Sequence, residues 1–486
     1  MTTVQTGQDA RRGGVLANRD FTKLWGGETV SLVGSQVTDM ALPLTAILTL
    51  HATAFGIGLL NMARYAPFVL VSLFAGVWFD RRRRRPTLIV SNLGRAVLIG
   101  LIPLAHAFDL LSMTLLYAVG FAAGLLTVLF DIGILSYVPG LVDKRHLAEA
   151  NSKITVSYSV AGIAGPGLAG FLVGTLSAPV ALTVDAVSYL VSATALSRIR
   201  RTEPAPERPE VQPSVFSSIA EGLRTVIGSR ILRHLATQSA TFNLFENVMT
   251  TVFLVYAVRV LGLSPTQLGF VVGAGSVGAL LGAVLAARIG DRLGFGQTLR
   301  LSTLIACVSP LALLAPQGAD PLSLLVIGAA LAVHGFNLAI FNINALTLRQ
   351  TVTPTRLLGR MNASYRLVLF GTVPIGALLG GSLAALFGLR AALVVGVIGI
   401  AAPVAWLTFS PVFRLREMPD GPIEPPREPG REPGREPGLA SEPAPDFEPA
   451  LSSASSASSA SSASSALLAA SEPEPQTNVS ANDRNA

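Results

Sequence analysis

Runs of apolar residues recur along the chain, each long enough for a membrane-spanning helix of about 20 residues, and short polar breaks separate them. They lie near 21–49, 56–79, 87–107, 112–137, 154–175 and 179–197, then near 235–258, 266–288, 298–315, 322–347, 364–387 and 391–410. The pattern predicts an all-α membrane protein with twelve transmembrane helices in two six-helix pseudo-repeats. It divides the chain into an N-terminus (1–20), a first bundle (21–197), a linker (198–234), a second bundle (235–410) and a tail (411–486). Within the linker, Phe216, Ile219, Leu223, Ile227 and Ile231 recur at helical spacing, which predicts an amphipathic helix from Val215 to Leu232 on the membrane surface.

Composition agrees with this pattern. Half of the 486 residues are apolar and 13% are charged, against about 25% charged in a soluble domain. That balance argues against a soluble enzyme. The first 20 residues are polar and lead into a long apolar run, so no cleavable signal peptide is expected. Lys and Arg concentrate in alternate loops, at Arg81 to Arg85, Lys144, Arg145, Arg198, Arg200, Arg201, Arg292, Arg349, Arg356 and Arg360. The intervening loops hold only Arg259 and Arg390. By the positive-inside rule the basic loops and both termini are cytoplasmic. The net charge of +7 therefore needs no nucleic-acid partner. Residues 417–486 hold twelve acids against four arginines, whereas 1–416 hold 32 bases against 17 acids. The acidic tail, with its Arg-Glu-Pro-Gly and Ser-Ser-Ala repeats, is expected to be disordered. One cysteine, Cys307, allows no intrachain disulfide, and no metal site or cofactor is expected.

The two halves match at a constant offset of 211. Asp80-Arg81 recurs as Asp291-Arg292, Asn151 as Asn362, Gly58 as Gly269, and Gly165 and Gly170 as Gly376 and Gly381. A repeat of six helices places the expected binding site between the halves, near the bilayer midplane. Between the second and third runs stands Gly76-Val-Trp-Phe-Asp80-Arg81-Arg-Arg-Arg84-Arg85, with a degenerate copy around Asp291 and Arg292. This loop resembles the signature of the major facilitator superfamily. The opening Arg19-Asp-Phe-Thr-Lys-Leu24-Trp25, with Leu147-Ala-Glu-Ala150-Asn151 and Val184-Asp185-Ala-Val-Ser188-Tyr189, resembles that superfamily's macrolide-efflux and enterobactin-exporter branch of drug:proton antiporters.

The resemblance implies that Gly76, Asp80, Arg81, Arg84, Asp291 and Arg292 form a conformational latch at the cytoplasmic face. Gly165, Pro166 and Gly170 resemble an antiporter signature in the fifth span, where small residues and a proline allow a bent, close-packed helix. Ionisable groups inside spans are costly and usually functional. Four acids qualify, Asp39, Asp131, Asp185 and Glu246. Depth along the helices suggests Arg64 paired with Asp39 or Asp185, and Arg95 paired with Asp131. An acid beside arginine carries protons poorly, whereas an unpaired acid in an apolar cavity can load and release them. Glu246 is thus the first proton-coupling candidate, and Asp39 the second provided that Arg64 pairs with Asp185. Each acid has an alternative role in a charge network that only stabilises its bundle. Gln36, Asn243, Asn337 and Asn342, with Phe245 one turn from Phe242, are candidates for the substrate cavity. His334 reads as a core histidine more than as a relay.

No phosphate-binding loop, zinc motif or nucleophile elbow occurs. The expectation is a monomeric secondary transporter in a bacterial inner membrane that exports a bulky amphipathic small molecule in exchange for protons. A lipid or lysophospholipid flippase on the same fold, or a transport-inactive membrane sensor, are the alternatives.

Overall fold

A computed structural model describes residues 14–80, 83–201, 203, 215–408, 412, 419 and 421. The N-terminal 13 residues and nearly all of the 411–486 tail lie outside the described residues. The first bundle comprises α1 (Arg19–Leu44), α2 (Ala54–Asp80), α3 (Arg84–Ala107), α4 (Met113–Leu141), α5 (Leu147–Leu176) and α6 (Ala178–Ser197). The linker contributes α7 (Val215–Gly228). The second bundle comprises α8 (Arg230–Arg259), α9 (Pro265–Leu293), α10 (Phe295–Val308), α11 (Pro321–Val352), α12 (Leu358–Phe387) and α13 (Leu389–Thr408). Among the described residues, eleven helices are long and apolar enough to cross a membrane, and a shorter apolar helix follows from Leu389. Val97, Phe270, Leu322 and Leu386 are each more than two thirds exposed on the outer walls. Water would penalise such a surface, whereas lipid does not.

Local chemistry sets the helix ends. Asn18 accepts from the Asp20 and Phe21 amides at the start of α1, and Ser264 with Gln267 makes a capping box on α9. The linker helix stops at Gly228, because the Ser229 hydroxyl accepts from the Leu232 amide and starts α8. Ile231 and Leu232, expected on the amphipathic helix, are therefore core residues of the second bundle. In α1, Pro43 offers no N–H to the Asp39 carbonyl, and the helix widens into a π turn at Thr45–Thr49.

The offset of 211 holds in three dimensions. Gly58 of α2 crosses Gly381 of α12, and Gly170 of α5 crosses Gly269 of α9, so each crossing is the repeat image of the other. The backbones touch at both. A Cβ on Gly58 would meet the Ala377 carbonyl at 2.5 Å, and one on Gly170 would meet the Pro265 carbonyl at 2.5 Å. The turns that follow α5 and α12 are also equivalent. Gly388 adopts φ +85° without strain, but its counterpart Ser177 is held at φ 96° and ψ 155°, a region nearly reserved for glycine that costs about 1–3 kcal/mol. Ser177→Gly is expected to raise stability by about 1 kcal/mol once glycine's extra chain entropy is subtracted. Thermal unfolding in detergent checks this, and an unchanged or lower midpoint would refute the strain.

Candidate functional site

The two bundles meet mainly at one end. There the Arg259 guanidinium donates to the Ala52 carbonyl at 2.6 Å, the two glycine crossings follow, and Asn61 donates to the Thr251 hydroxyl at 3.3 Å. Toward the opposite end, which carries the basic loops, a cavity of about 230 Å³ lies between α2, α4 and α12. Phe68 and Phe370 stack across it at 5.5 Å. Asp131 of α4 and Arg366 of α12 line it from opposite bundles, among Val128, Leu135 and Leu367. The cavity is therefore amphipathic, with one acid and one base set in apolar and aromatic walls. A larger cavity of about 520 Å³ lies on the outer wall between α1 and α6, lined by Val30, Val33, Val184, Val187 and Val191, and both of its helices belong to the first bundle.

The buried charges of the first bundle sort themselves differently from their depths. Arg64 donates to Asp39 at 2.5 Å, while Asp185 accepts from the hydroxyls of Thr38 at 2.5 Å and Ser188 at 3.0 Å. The condition for an unpaired Asp39 is therefore not met. Arg95 does not form the expected ion pair with Asp131; none within 4 Å joins them among the described residues. Instead Arg95 donates to Asn92 and lies over the rings of Phe130 and Tyr189, 4.3 Å from each centroid. The two side chains sit at one depth but point in different directions, and Asp131 turns into the cavity. Glu28 is a further member that its position near a helix end conceals. It is 6% exposed, and one carboxylate oxygen is buried without a hydrogen-bond partner.

In the second bundle, Glu246 stands near the middle of α8, and its Oε1 lies 3.4 Å from His334 Nε2 of α11. Phe242 stacks on the His334 ring with centroids 6.0 Å apart. Phe245, expected to wall the cavity, packs instead against Gly399 of α13. One helical turn separates the two phenylalanines, yet the three-residue step turns them toward different neighbours. Asn243 and Asn337 spend their amide N–H groups on the Ser239 and Val333 carbonyls of their own helices. Asn342 is half-buried on α11, at the position that corresponds to Asp131 in the repeat. Gln36 packs against Gly165, and Asn247, its repeat counterpart, lies 2.9 Å from a Cβ built on Gly376. Pro166 and Gly170 lie at the α5–α9 crossing, where the Pro166 carbonyl stands 2.5 Å from a Cβ built on Gly269.

Of the expected latch, Gly76 and Asp80 fall in the last turns of α2, their side chains outside the described residues, as is all of Arg81. Arg84 begins α3. Its amide donates to Glu203, and its guanidinium donates to the Ser136 carbonyl of α4 at 3.1 Å. Asp291 and Arg292 are exposed in the last turn of α9. Across the basic end of the second bundle, Glu221 of α7 pairs with Arg360 of α12.

Two bundles related by a repeat, with an amphipathic cavity lined from both of them, point to a membrane transporter. The model of the Major Facilitator Superfamily matches residues 24–370 and again 239–470, and the chain belongs to that superfamily. It is 27% identical over 404 residues to the multidrug efflux pump Tap of Mycolicibacterium fortuitum, covering 79% of this chain and 93% of that protein. It is 25% identical over 368 residues to the enterobactin exporter EntS of Escherichia coli O1:K1 / APEC, covering 74% of this chain and 83% of that protein. A bacterial homologue of the iron transporter ferroportin in an inward-facing state shares the fold, with a TM-score of 0.61 at 18% identity over 81% of this chain and 99% of that one.

Proposed function

We propose that this chain exports a bulky amphipathic small molecule from the bacterial cytoplasm by proton antiport, with rocking of the two bundles as the transport motion. The carrying observation is the cavity at the basic end, where Asp131 and Arg366 face each other's bundles among Phe68, Phe370 and aliphatic side chains. Such a lining suits a ligand with a large apolar body and a few polar groups. The concentration of arginines at that end supports a cytoplasmic opening and cytoplasmic termini in the inner membrane. Similarity to a multidrug efflux pump and to an enterobactin exporter supports export over uptake. Glu246, mid-membrane and 21% exposed, is the acid that couples proton and substrate fluxes. Asp80 is the latch carboxylate, and the transporter works as a monomer.

The test is efflux of ethidium and of a macrolide from cells that lack or overproduce the protein, with and without an uncoupler. Overproduction should lower accumulation of at least one compound, and the uncoupler should erase the difference. Asp80→Asn and Glu246→Gln should each abolish proton-driven efflux in everted vesicles while leaving the protein inserted. Full transport by both variants would remove the latch and coupling assignments. Transfer of a labelled lysophospholipid without a proton gradient would favour a flippase instead.

A further inference from the structure

We infer that Glu246 and His334 form a two-residue site holding a single proton between them, and that this is the proton exchanged during transport. This deepens the antiport reading above, on which it rests, by naming the group that completes the coupling acid.

The tautomer of His334 is set by its surroundings. Its Nδ1 lies 2.8 Å from the Ala306 carbonyl oxygen. A carbonyl only accepts, so Nδ1 carries the hydrogen. The carbonyl is free for this role because its usual helical donor would come from residue 310, which is Pro310. In the neutral ring, Nε2 is then a bare lone pair, and Glu246 Oε1 faces it at 3.4 Å. A carboxylate is also acceptor-only. Two acceptors cannot satisfy each other. Glu246 Oε2 and His334 Nε2 are both buried without another hydrogen-bond partner. One proton on either atom turns the opposition into a hydrogen bond or an ion pair. Stacking on Phe242 holds the imidazole plane in place.

The repeat shows what is special about this half. Ala306 occupies the position that Arg95 occupies in the first bundle, at the offset of 211. A guanidinium keeps its charge in a protein, so the first bundle is built around a fixed cation. In the second bundle that cation is absent, and an imidazole from another helix bonds to the vacant position's carbonyl. Unlike a guanidinium, an imidazole can gain or lose its charge. The neighbourhood of Glu246 is otherwise sparse in ionisable groups. The α10 helix brings the Cys307 thiol. The α12 and α13 helices meet α8 at this level with Gly376, Gly380, Gly396 and Gly399. Tyr365 of α12 lies nearer the basic end, its hydroxyl 2.6 Å from Ser239. Glu246, His334 and Cys307 do not form a three-ligand cluster for a metal.

With one proton the pair is neutral overall. Releasing it breaks one O–H or N–H bond and leaves a carboxylate opposite an imidazole lone pair, with charge −1. Rebinding a proton from the other side restores the neutral pair.

Titration of the purified full-length protein tests the site without any substrate. Infrared spectra would follow the Glu246 carboxyl signal, identified by its loss in Glu246→Gln. Nitrogen NMR would follow the His334 ring, identified by its loss in His334→Asn or, if that variant does not fold, in His334→Gln. The two signals are expected to change in a common step, and each single variant should move the transition of the surviving partner. Independent transitions, or a partner left unmoved, would overturn the shared proton. In everted vesicles, Glu246→Gln and His334→Asn should both lose proton-driven ethidium accumulation yet retain ethidium exchange down its own gradient. If the wild type exports neither ethidium nor a macrolide but the signals titrate together, the export reading and the transport role of the proton fail, and the proton shared by Glu246 and His334 stands.

Discussion

Gly58→Leu is expected to abolish export while the protein remains folded and inserted. A Cβ at this position meets the Ala377 carbonyl at 2.5 Å and the Gly381 Cα at 3.0 Å. Both obstacles are backbone, so no side chain can rotate away. The α2 and α12 helices must separate, and the end at which the bundles meet separates with them. Alternating access needs that end to seal whenever the other is open. A leucine there removes the seal and costs the tight packing that small residues provide between helices. Gly269→Leu, the repeat image, should act alike through the Pro166 carbonyl, 2.5 Å from its Cβ. Gly26→Leu is the control, since nothing lies within 4 Å of its Cβ. The measurements are ethidium efflux in vesicles and the labelling rate of a cysteine placed at Ala52 in a Cys307→Ser background. Lost efflux with faster labelling is the expected pair. Wild-type efflux by Gly58→Leu would show that the crossing is not a working contact.

That pair of crossings also marks what could be read from the chain. The offset of 211 already related Gly58 to Gly269 and Gly170 to Gly381 as sequence equivalents. It did not say that each would touch the other's partner, because a repeat in sequence carries no information on how its copies dock. The twelve apolar runs were equally plain, since lipid imposes length and composition on every span. The site was less legible. Position along a helix gives depth at about 1.5 Å per residue but not direction around the axis. Arg95 and Asp131 were matched for depth and face different ways. Because α1 begins at Arg19, Glu28 sits more than two turns inside the helix and is buried. His334 had a readable clue in Pro310, four residues after Ala306, which frees that carbonyl. The clue has meaning only once α10 and α11 are known to be neighbours.

Arg95→Leu is the variant with the largest expected effect on stability. Arg95 is 4% exposed, and its guanidinium lies over the rings of Phe130 and Tyr189. It donates to Asn92, which in turn donates to Ser192 of α6 at 2.9 Å. Tyr189 shares a hydrogen bond with Ser35 of α1 at 3.0 Å. One side chain thus ties together α1, α3, α4 and α6. A leucine fills part of the volume but leaves the buried Asn92 side-chain carbonyl without its donor. Losing the donor leaves a buried acceptor unpaired, at about 1–3 kcal/mol, in addition to the stacking, which is worth about 2 kcal/mol when desolvated. Arg95→Lys should recover only part of the loss, because an ammonium cannot lie flat over two rings and still reach Asn92. Thermal or denaturant unfolding in detergent measures both variants. Export assays do not substitute, since an inactive but stable protein would point to a transport role instead. If Arg95→Leu unfolds with the wild type, the cation contributes no net attraction and apolar packing alone holds these four helices together.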